Sequence, residues 1–322
     1  MAVHEAGPGP RVLVDRASRE AASTDWSGHR PAGLPDGVVR ARSTEDVVAV
    51  LRRATAERTP VVTRGAGTGL AGAASATTGE LVLDVSGMDR VLDLRADDQV
   101  AVVQPGVLVA DLDAAAAEHG LMYAPDPASA ALASVGGSIA TNAGGLRCAK
   151  HGATREAVLG LEVVLADGRV LRTGRATTKG VAGYDLTALM IGSEGTLGVI
   201  VGATLSLRPA VRGTQVTLGG FFPDVVAGAA AAEAVTNAGH VPALMELMDE
   251  VTLAAVRAYA GPERGAALPE SGAFLLVQAD GAGAEEDGAA MADLMRAHGG
   301  DVTVDSRPGR TLFTVRLPLH TA

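Results

Sequence analysis

The pattern of apolar and polar residues becomes regular from Val38 onward, after a stretch that several prolines interrupt. Short apolar runs bounded by Gly, Pro or Asp predict strands, whereas apolar residues at helical spacing predict helices. Ser43, with Asp46 three residues later, predicts a capped helix that runs through Ala54. A second helix is predicted over residues 110–119, and strands are predicted over residues 37–40, 60–63, 81–85, 100–103, 159–165, 170–173 and 199–207.

The order of elements changes after Val211. The pattern there predicts a βαββαβ order, which is ferredoxin-like, with a helix inserted over residues 250–259. The six elements of that order are predicted over residues 214–221, 224–238, 243–248, 273–279, 285–298 and 302–304. The expected organisation is α+β, with an irregular segment over 1–36, a domain of two α+β subdomains over 37–210, and a second, incomplete domain over 211–322.

Composition narrows the class of protein. The chain has 322 residues, 47% hydrophobic and 20% charged, which indicates globular domains with a core of small aliphatic residues, because aromatic residues make up only 2%. The net charge of −10 argues against nucleic acid and anionic membranes as partners. A single cysteine, Cys148, excludes an internal disulfide. Since neither a secretion signal nor a membrane-spanning stretch is recognisable, a cytoplasmic protein is expected, with a peripheral place at a membrane through a partner as the alternative.

Glycines concentrate in three clusters, at residues 65–72, 136–145 and 192–198. Gly67, Gly69 and Gly72 fit the G-x-G-x-x-G pattern of a dinucleotide-binding Rossmann turn. A Rossmann turn must open a helix, but residues 73–80, which separate the loop from the next predicted strand, have no apolar helical face. We therefore predict a loop that joins two strands, and we reject the Rossmann interpretation.

A strand-connecting glycine loop still has a chemical use, because unobstructed backbone N–H groups bind a pyrophosphate. Arg64 and Thr68 would add a charge and a hydroxyl donor, although a tight surface loop without a ligand is an equal alternative for this loop alone. Asn142 and Glu194 lie within the other two clusters and add polar groups. Three such clusters in one domain favour a large, flat, partly anionic cofactor between two lobes.

Several stretches in order carry a family resemblance, and together they are highly specific. They are Pro60–Leu70 (PVVTRGAGTGL), Val103–Val107 (VQPGV), Pro125–Pro127, Ser134–Gly137, Ala140–Gly145 (ATNAGG), Gly183–Leu186 and Gly192–Gly198 (GSEGTLG). The sequence resembles the flavoprotein subunit of glycolate oxidase and the related D-lactate and D-2-hydroxyglutarate dehydrogenases. These belong to the FAD-binding superfamily of vanillyl-alcohol oxidase and p-cresol methylhydroxylase. The resemblance covers about residues 20–260 and implies a two-subdomain FAD-binding domain followed by a partial ferredoxin-like cap.

The resemblance also implies which residues bind FAD. The glycine loop would wrap the pyrophosphate, the middle segments would line the cleft and contact the flavin or ribityl chain, and Ile200 would bond the adenine end through its backbone. The complete set of implied cofactor residues is Arg64, Gly65, Ala66, Gly67, Thr68, Gly69, Leu70, Pro105, Gly106, Pro125, Asp126, Ser134, Gly137, Asn142, Gly144, Glu194, Gly195 and Ile200. Some relatives attach FAD through a histidine in this loop; because residues 65–72 contain none, non-covalent FAD is expected.

The implied reaction is oxidation of a 2-hydroxy acid to the 2-oxo acid by hydride transfer to the flavin. Arg316 would bind the substrate carboxylate, because its guanidinium forks onto both oxygens, although a solvated arginine without this role is an equal alternative. An electron-acceptor protein or partner subunit would reoxidise the flavin. Relatives continue to a histidine-rich metal-binding segment; the seven histidines here lack that spacing, so no metal site is expected.

Two alternatives remain open at this point. A truncated or non-catalytic FAD-binding subunit would need a partner chain to complete its site, and the missing histidine segment favours that alternative. An alditol or lactone oxidase of the same superfamily is disfavoured, because the pyrophosphate loop has no histidine.

Overall fold

A computed structural model describes residues 10–177, 179–265, 268–302, 305–307 and 310–312. Within these residues the chain forms two compact units. The first comprises residues 10–145 and 152–210, and the second comprises residues 146–151 and those from 211 onward.

Most of the predicted helices and strands are present in the structure, with small shifts of their ends. The helices are α1 (Arg16–Ala21), α2 (Thr44–Glu57), α3 (Val109–Ala117), α4 (Val135–Thr141), α5 (Cys148–His151), α6 (Leu186–Met190), α7 (Val225–Asn237), α8 (Glu250–Gly265) and α9 (Ala284–Ala297). The strands are β1 (Val12–Leu13), β2 (Gly37–Arg40), β3 (Val61–Arg64), β4 (Leu81–Asp84), β5 (Val91–Arg95), β6 (Val100–Val103), β7 (Leu121–Met122), β8 (Val158–Val164), β9 (Val170–Gly174), β10 (Val199–Ser206), β11 (Arg208–Pro209), β12 (Thr214–Phe222), β13 (Leu244–Met248), β14 (Ala273–Gly281), β15 (Asp301–Val302), β16 (Asp305–Arg307) and β17 (Arg310–Leu312).

The first sheet of the first unit has the strand order β1-β2-β4-β3, and β2 and β3 both run parallel to β4. Helix α2 follows β2 and begins at the predicted cap, where Ser43 Oγ accepts a hydrogen bond from Asp46 N at 3.2 Å. The Asp46 carboxylate in turn accepts one from Arg42 N at 2.9 Å, so two free N–H groups at the helix start are satisfied. The helix ends three residues later than predicted, where Arg58 adopts a left-handed conformation.

The connection from β3 to β4, residues 65–80, contains no helix. The prediction of a loop that joins two strands is therefore confirmed, and so is the rejection of the Rossmann interpretation. The two strands are nevertheless parallel neighbours, so the loop itself crosses from the end of β3 to the start of β4. This course leaves a long glycine-rich segment at the carboxyl end of β3.

The second sheet of the first unit has the order β5-β6-β10-β8-β9, and every neighbouring pair in it is antiparallel. The predicted hairpin is present as β8 and β9. Strand β5 was not predicted, because it is an edge strand with Val91 and Leu92 exposed. Tyr123 lies in the core of this layer and is 1% exposed, and its hydroxyl has no hydrogen-bond partner within the described residues.

The second unit contains a sheet of order β13-β14-β12-β15, in which all neighbours are antiparallel. Helices α7 and α9 pack against this sheet. Buried residues alternate with less buried ones along β14, whereas the last five residues of β12 are all buried. This is the predicted ferredoxin-like order with α8 inserted. Residues 146–151 also belong to this unit and contain the short helix α5, where Lys150 forms an ion pair with Asp280 of β14.

Candidate functional site

A cavity of about 700 Å³ lies within the first unit. Three segments form most of its walls: the loop after β3, the segment that contains α4, and the glycine cluster that precedes β10. Its volume is in the range of pockets that bind cofactors and other small molecules, about 300–1,000 Å³.

Most of the cofactor residues implied by the sequence lie on this cavity. The cavity-lining ones are Gly65, Ala66, Gly67, Thr68, Gly69, Leu70, Pro105, Ser134, Gly137, Asn142, Gly144, Glu194, Gly195 and Ile200. Sequence reasoning missed several small neighbours of these residues, and it also missed Asp25 and Trp26, which come from the segment before β2.

The loop after β3 lines the cavity and has unused backbone donors. Within the described residues, none of the backbone N–H groups from Gly65 to Ala73 donates a hydrogen bond to the protein. The hydroxyl of Thr68 likewise has no protein partner among them. Unpaired backbone donors at a cavity wall favour an anionic ligand, because a ligand oxygen can then satisfy them. This donor set fits the pyrophosphate of a dinucleotide cofactor.

The glycines of this region serve two different purposes. A side chain at Gly69 would enter open cavity, since the nearest atom to its added Cβ is Asp25 Oδ2 at 3.9 Å. A Cβ at Gly65 would instead fall on the hydroxyl of Ser134, and one at Gly136 would lie 2.5 Å from Pro105 Cβ. Gly69 therefore keeps the cavity open, whereas the other two allow its walls to pack together.

Gly106, Pro125 and Asp126 do not line the cavity. An added Cβ at Gly106 would lie 2.7 Å from Met88 O, and the Gly106 N–H donates to that same oxygen at 2.7 Å. Pro125 is buried, and the carbonyl of Asp126 packs against Gly145. Their backbones pack against protein, and their implied role in binding the cofactor stays a prediction.

Arg64 also lies off the cavity lining, although it was implied to bind the cofactor. Its Nη1 donates hydrogen bonds to Thr24 O at 2.8 Å and to Ala74 O at 3.3 Å. The guanidinium occupies the space beside Gly67 that a Cβ there would need. Arg64 therefore packs against the glycine loop without lining the cavity.

The segment of α4 joins the second and third glycine clusters. Ile139 O and Ala140 O accept hydrogen bonds from Gly192 N at 3.1 Å and from Glu194 N at 2.9 Å. Glu194 has a left-handed backbone with a φ of 49°, a conformation that non-glycine residues seldom adopt. These bonds hold the two clusters side by side at the cavity.

Asn142 ends α4 in a left-handed conformation and lines the cavity. Its Oδ1 accepts a hydrogen bond from Arg155 N at 3.0 Å. That bond leaves Nδ2 as the donor atom available to a ligand. Ser134 caps the other end of α4, where its Oγ accepts a hydrogen bond from Gly137 N at 3.3 Å.

The charge on the cavity wall is negative. Asp25 and Glu194 line it, and no Lys, Arg or His does so within the part of the chain that the structure describes. Burial acts to raise the pKa of Asp25, but hydrogen bonds from Ser27, Ala74 and Ser75 outweigh it, so this pKa lies below its usual value. An anionic ligand would therefore be held here by backbone donors instead of basic side chains.

Other parts of the sequence prediction fall outside the cavity. Arg316 lies outside the described residues, so its implied role stays a prediction. Among the residues that the structure describes, no group of His, Cys, Asp and Glu is arranged to hold a metal ion. None of the described helices is both long enough and apolar enough to cross a bilayer.

Comparison with known families gives two matches. Residues 35–174 match the family model described as FAD binding domain. Residues 213–314 match the one described as FAD linked oxidases, C-terminal domain.

The chain is also similar in sequence to several curated proteins. The chain is 41% identical over 249 residues to glycolate oxidase subunit GlcD of Bacillus subtilis, which covers 77% of this chain and 52% of the relative. It is 42% identical over 207 residues to D-2-hydroxyglutarate dehydrogenase of Xanthomonas citri, covering 64% and 44%. It is 47% identical over 175 residues to D-lactate dehydrogenase of Archaeoglobus fulgidus, covering 54% and 39%. The chain thus spans about half the length of the curated relatives it matches.

Solved structures support the fold. Alkyldihydroxyacetonephosphate synthase superposes with a TM-score of 0.75 at 19% identity, over 90% of this chain and 57% of that one. p-Cresol methylhydroxylase with substrate bound gives 0.72 at 19% identity, over 91% and 62%. The chain therefore has the fold of p-cresol methylhydroxylase, with an FAD binding domain matched over residues 35–174 and a C-terminal domain of FAD linked oxidases matched over residues 213–314.

Proposed function

We propose that this chain binds FAD non-covalently in the cavity of its first unit and oxidises a 2-hydroxy acid to the 2-oxo acid. The observation that carries the cofactor part is the glycine loop, which lines the cavity and whose backbone N–H groups have no protein partners within the described residues. That loop lies inside the segment that matches the FAD binding domain. We take residues 37–210 as the cofactor domain and residues 211–322 as the substrate domain.

The chain's own residues would divide the binding of FAD among them. The loop of Gly65–Leu70 would donate backbone hydrogen bonds to the pyrophosphate, with Thr68 adding its hydroxyl. Asn142 would donate from Nδ2, and the small residues of α4 would let a flat ring lie close to the backbone. Bound FAD supplies the acceptor for the two electrons that leave the substrate.

The cavity wall supports a dissociable cofactor. Covalent attachment of a flavin needs a reactive side chain near the ring, and neither His nor Cys lines the cavity in the described part of the chain. FAD should therefore leave the protein on denaturation. Flavin that stays with the acid-precipitated polypeptide would contradict this part of the proposal.

The relatives support the substrate class. Those named glycolate oxidase subunit, D-2-hydroxyglutarate dehydrogenase and D-lactate dehydrogenase all carry names of 2-hydroxy acids. We assign the substrate carboxylate to Arg316, because a guanidinium binds both carboxylate oxygens at once. We further propose that the protein acts in the cytoplasm and passes its electrons to an acceptor protein or partner subunit.

The test is anaerobic reduction of the bound flavin. The FAD-loaded protein is mixed without oxygen with glycolate, D-lactate or D-2-hydroxyglutarate, and the loss of flavin absorbance is followed. L-lactate and a 3-hydroxy acid serve as controls. We expect one of the three 2-hydroxy acids to bleach the flavin. If none does while dithionite does, the chain binds FAD but does not by itself oxidise a 2-hydroxy acid.

A further inference from the structure

We propose that Asp25 and Arg64 are positioning residues that hold the glycine loop in the shape that binds pyrophosphate. Both form hydrogen bonds with the backbone of Ala74, at the far end of the loop: Asp25 with its N–H group and Arg64 with its carbonyl oxygen. We call this arrangement of Asp25, Arg64 and Ala74 the clasp. The inference rests on the proposed placement of FAD in the cavity.

The hydrogen bonds of the clasp join three distant parts of the sequence. Ala74 N donates to Asp25 Oδ2 at 3.2 Å, and Ala74 O accepts from Arg64 Nη1 at 3.3 Å. The same Arg64 nitrogen donates to Thr24 O at 2.8 Å, next to Asp25 in the chain. Arg64 is the last residue of β3, so the clasp ties the start of the loop to its end.

Two further contacts strengthen the attachment of the segment before β2. Asp25 N donates to Ser75 Oγ at 3.3 Å, and Ala76 N donates to Ser23 O at 3.0 Å. The residues on either side of Ala74 and Asp25 therefore lie against each other, and the loop between residues 65 and 73 is closed at its base.

Gly67 provides the room that the clasp needs. Its φ is 72°, a left-handed value, and a Cβ at this position would fall on the Arg64 guanidinium. Gly67 therefore serves both the turn of the loop and the approach of Arg64 to Ala74. The sequence motif R-G-A-G thus includes both Arg64 of the clasp and Gly67, whose missing side chain leaves room for the guanidinium.

The Asp25 carboxylate has hydrogen-bond partners within the protein. Its side chain lies at the cavity wall, but the residue is only 8% exposed, and both oxygens accept backbone hydrogen bonds, Oδ1 from Ser27 N at 3.0 Å and Oδ2 from Ala74 N. A carboxylate with two such donors is satisfied by the protein itself. Asp25 therefore holds the loop through its hydrogen bond from Ala74 N.

The expected consequence is a loss of FAD affinity, although the residues of the loop that would donate to the pyrophosphate are unchanged. Ordering a glycine-rich loop costs conformational entropy. Without the clasp, therefore, only a fraction of molecules would hold the loop in the shape that binds pyrophosphate. The apparent dissociation constant rises by the inverse of that fraction. If one molecule in ten stays ordered, the rise is about tenfold.

The test compares four variants of the full chain: Asp25→Ala, Arg64→Met, the double variant, and Asp15→Ala as a matched control. Asp15 also accepts a backbone hydrogen bond, from Ser18 N at 2.9 Å, but it lies in the cap of α1 away from the loop. FAD affinity is measured on the apoprotein by quenching of flavin fluorescence. Thermal unfolding and amide hydrogen exchange are measured on the same samples without FAD.

Each single clasp variant should weaken FAD binding about tenfold or more, because each opens the base of the loop. The double variant should weaken it by clearly less than the product of the two single effects, since both act on one structure. Amides of residues 65–76 should exchange faster in the clasp variants, while Asp15→Ala changes neither the affinity nor this exchange.

The clasp is overturned if Asp25→Ala and Arg64→Met bind FAD within twofold of the wild type. It is equally overturned if the two effects multiply independently, or if faster exchange spreads over the whole first unit. If one variant fails to fold, the other decides alone, together with Asp25→Asn. A wild-type protein that binds no FAD would refute the proposed cofactor site itself, which separates the two failures.

Discussion

Replacing Gly69 by leucine should abolish tight FAD binding while leaving the fold intact. A Cβ at this position meets only Asp25 Oδ2, at 3.9 Å, and the backbone φ is not in the left-handed range, so both the space and the conformation accept a side chain. Substitution of glycine under such conditions stabilises a protein by about 0.4–1 kcal/mol through the unfolded chain. We therefore expect the apoprotein to unfold at an unchanged or slightly higher temperature.

The cost appears in the affinity for FAD. The leucine side chain would stand in the cavity of about 700 Å³ beside the donors that face the pyrophosphate. Hydrogen bonds to charged groups contribute about 1.5–3 kcal/mol each, so the loss of even one or two corresponds to roughly 3 kcal/mol. Since about 1.4 kcal/mol is a factor of ten, the dissociation constant should rise roughly 100-fold.

The matched control is Gly106→Ala. Gly106 is also one of the glycines that the resemblance implies in cofactor binding, but it does not line the cavity. Its Cβ would lie 2.7 Å from Met88 O, so overpacking should cost about 1–3 kcal/mol of stability. Fluorescence titration and thermal unfolding of both apoproteins separate the two effects. Gly69→Leu with wild-type affinity for FAD, at any stability, would refute the argument that this glycine keeps the cofactor site open.

Three further predictions concern stability. Tyr123→Phe should stabilise the protein by about 1 kcal/mol in urea unfolding, because it removes a buried hydroxyl without a described partner; a loss of stability would contradict this. The lowered pKa of Asp25 means that its charge stabilises the fold above its usual pKa, about 4, and that this contribution fades as the pH falls through the folded pKa. The stability gap between wild type and Asp25→Asn should therefore close on acidification, and a gap that widens would be inconsistent. Lys150→Met should destabilise the second unit by about 2 kcal/mol, since Asp280 is 7% exposed on its side chain and would lose its partner; Asp280→Asn in the same background should restore part of that loss.

The sequence was sufficient to predict elements whose determinants are local. Helix α2 could be predicted because Ser43 and Asp46 form its cap within four residues. The ferredoxin-like order of the second unit followed from apolar periodicity alone. Strand β5 escaped prediction because an exposed edge strand with Asp93 and Arg95 has no clear apolar face.

The candidate site could be predicted only in part. Glycine clusters pointed to the loops that line the cavity, but a glycine at the cavity looks the same in sequence as one that packs against a carbonyl. Gly69 and Gly106 differ only in what surrounds them in three dimensions. Asp25 could not be found, because it contacts Ala74, and hydrogen bonds between residues 49 positions apart leave no local pattern.

The most direct test of the whole account is the visible absorption spectrum of the purified protein, recorded before and after denaturation and filtration. We predict a yellow protein with flavin absorbance, which releases all of its FAD into the filtrate. A colourless protein that takes up no added FAD would contradict the assignment of the cavity as a cofactor site.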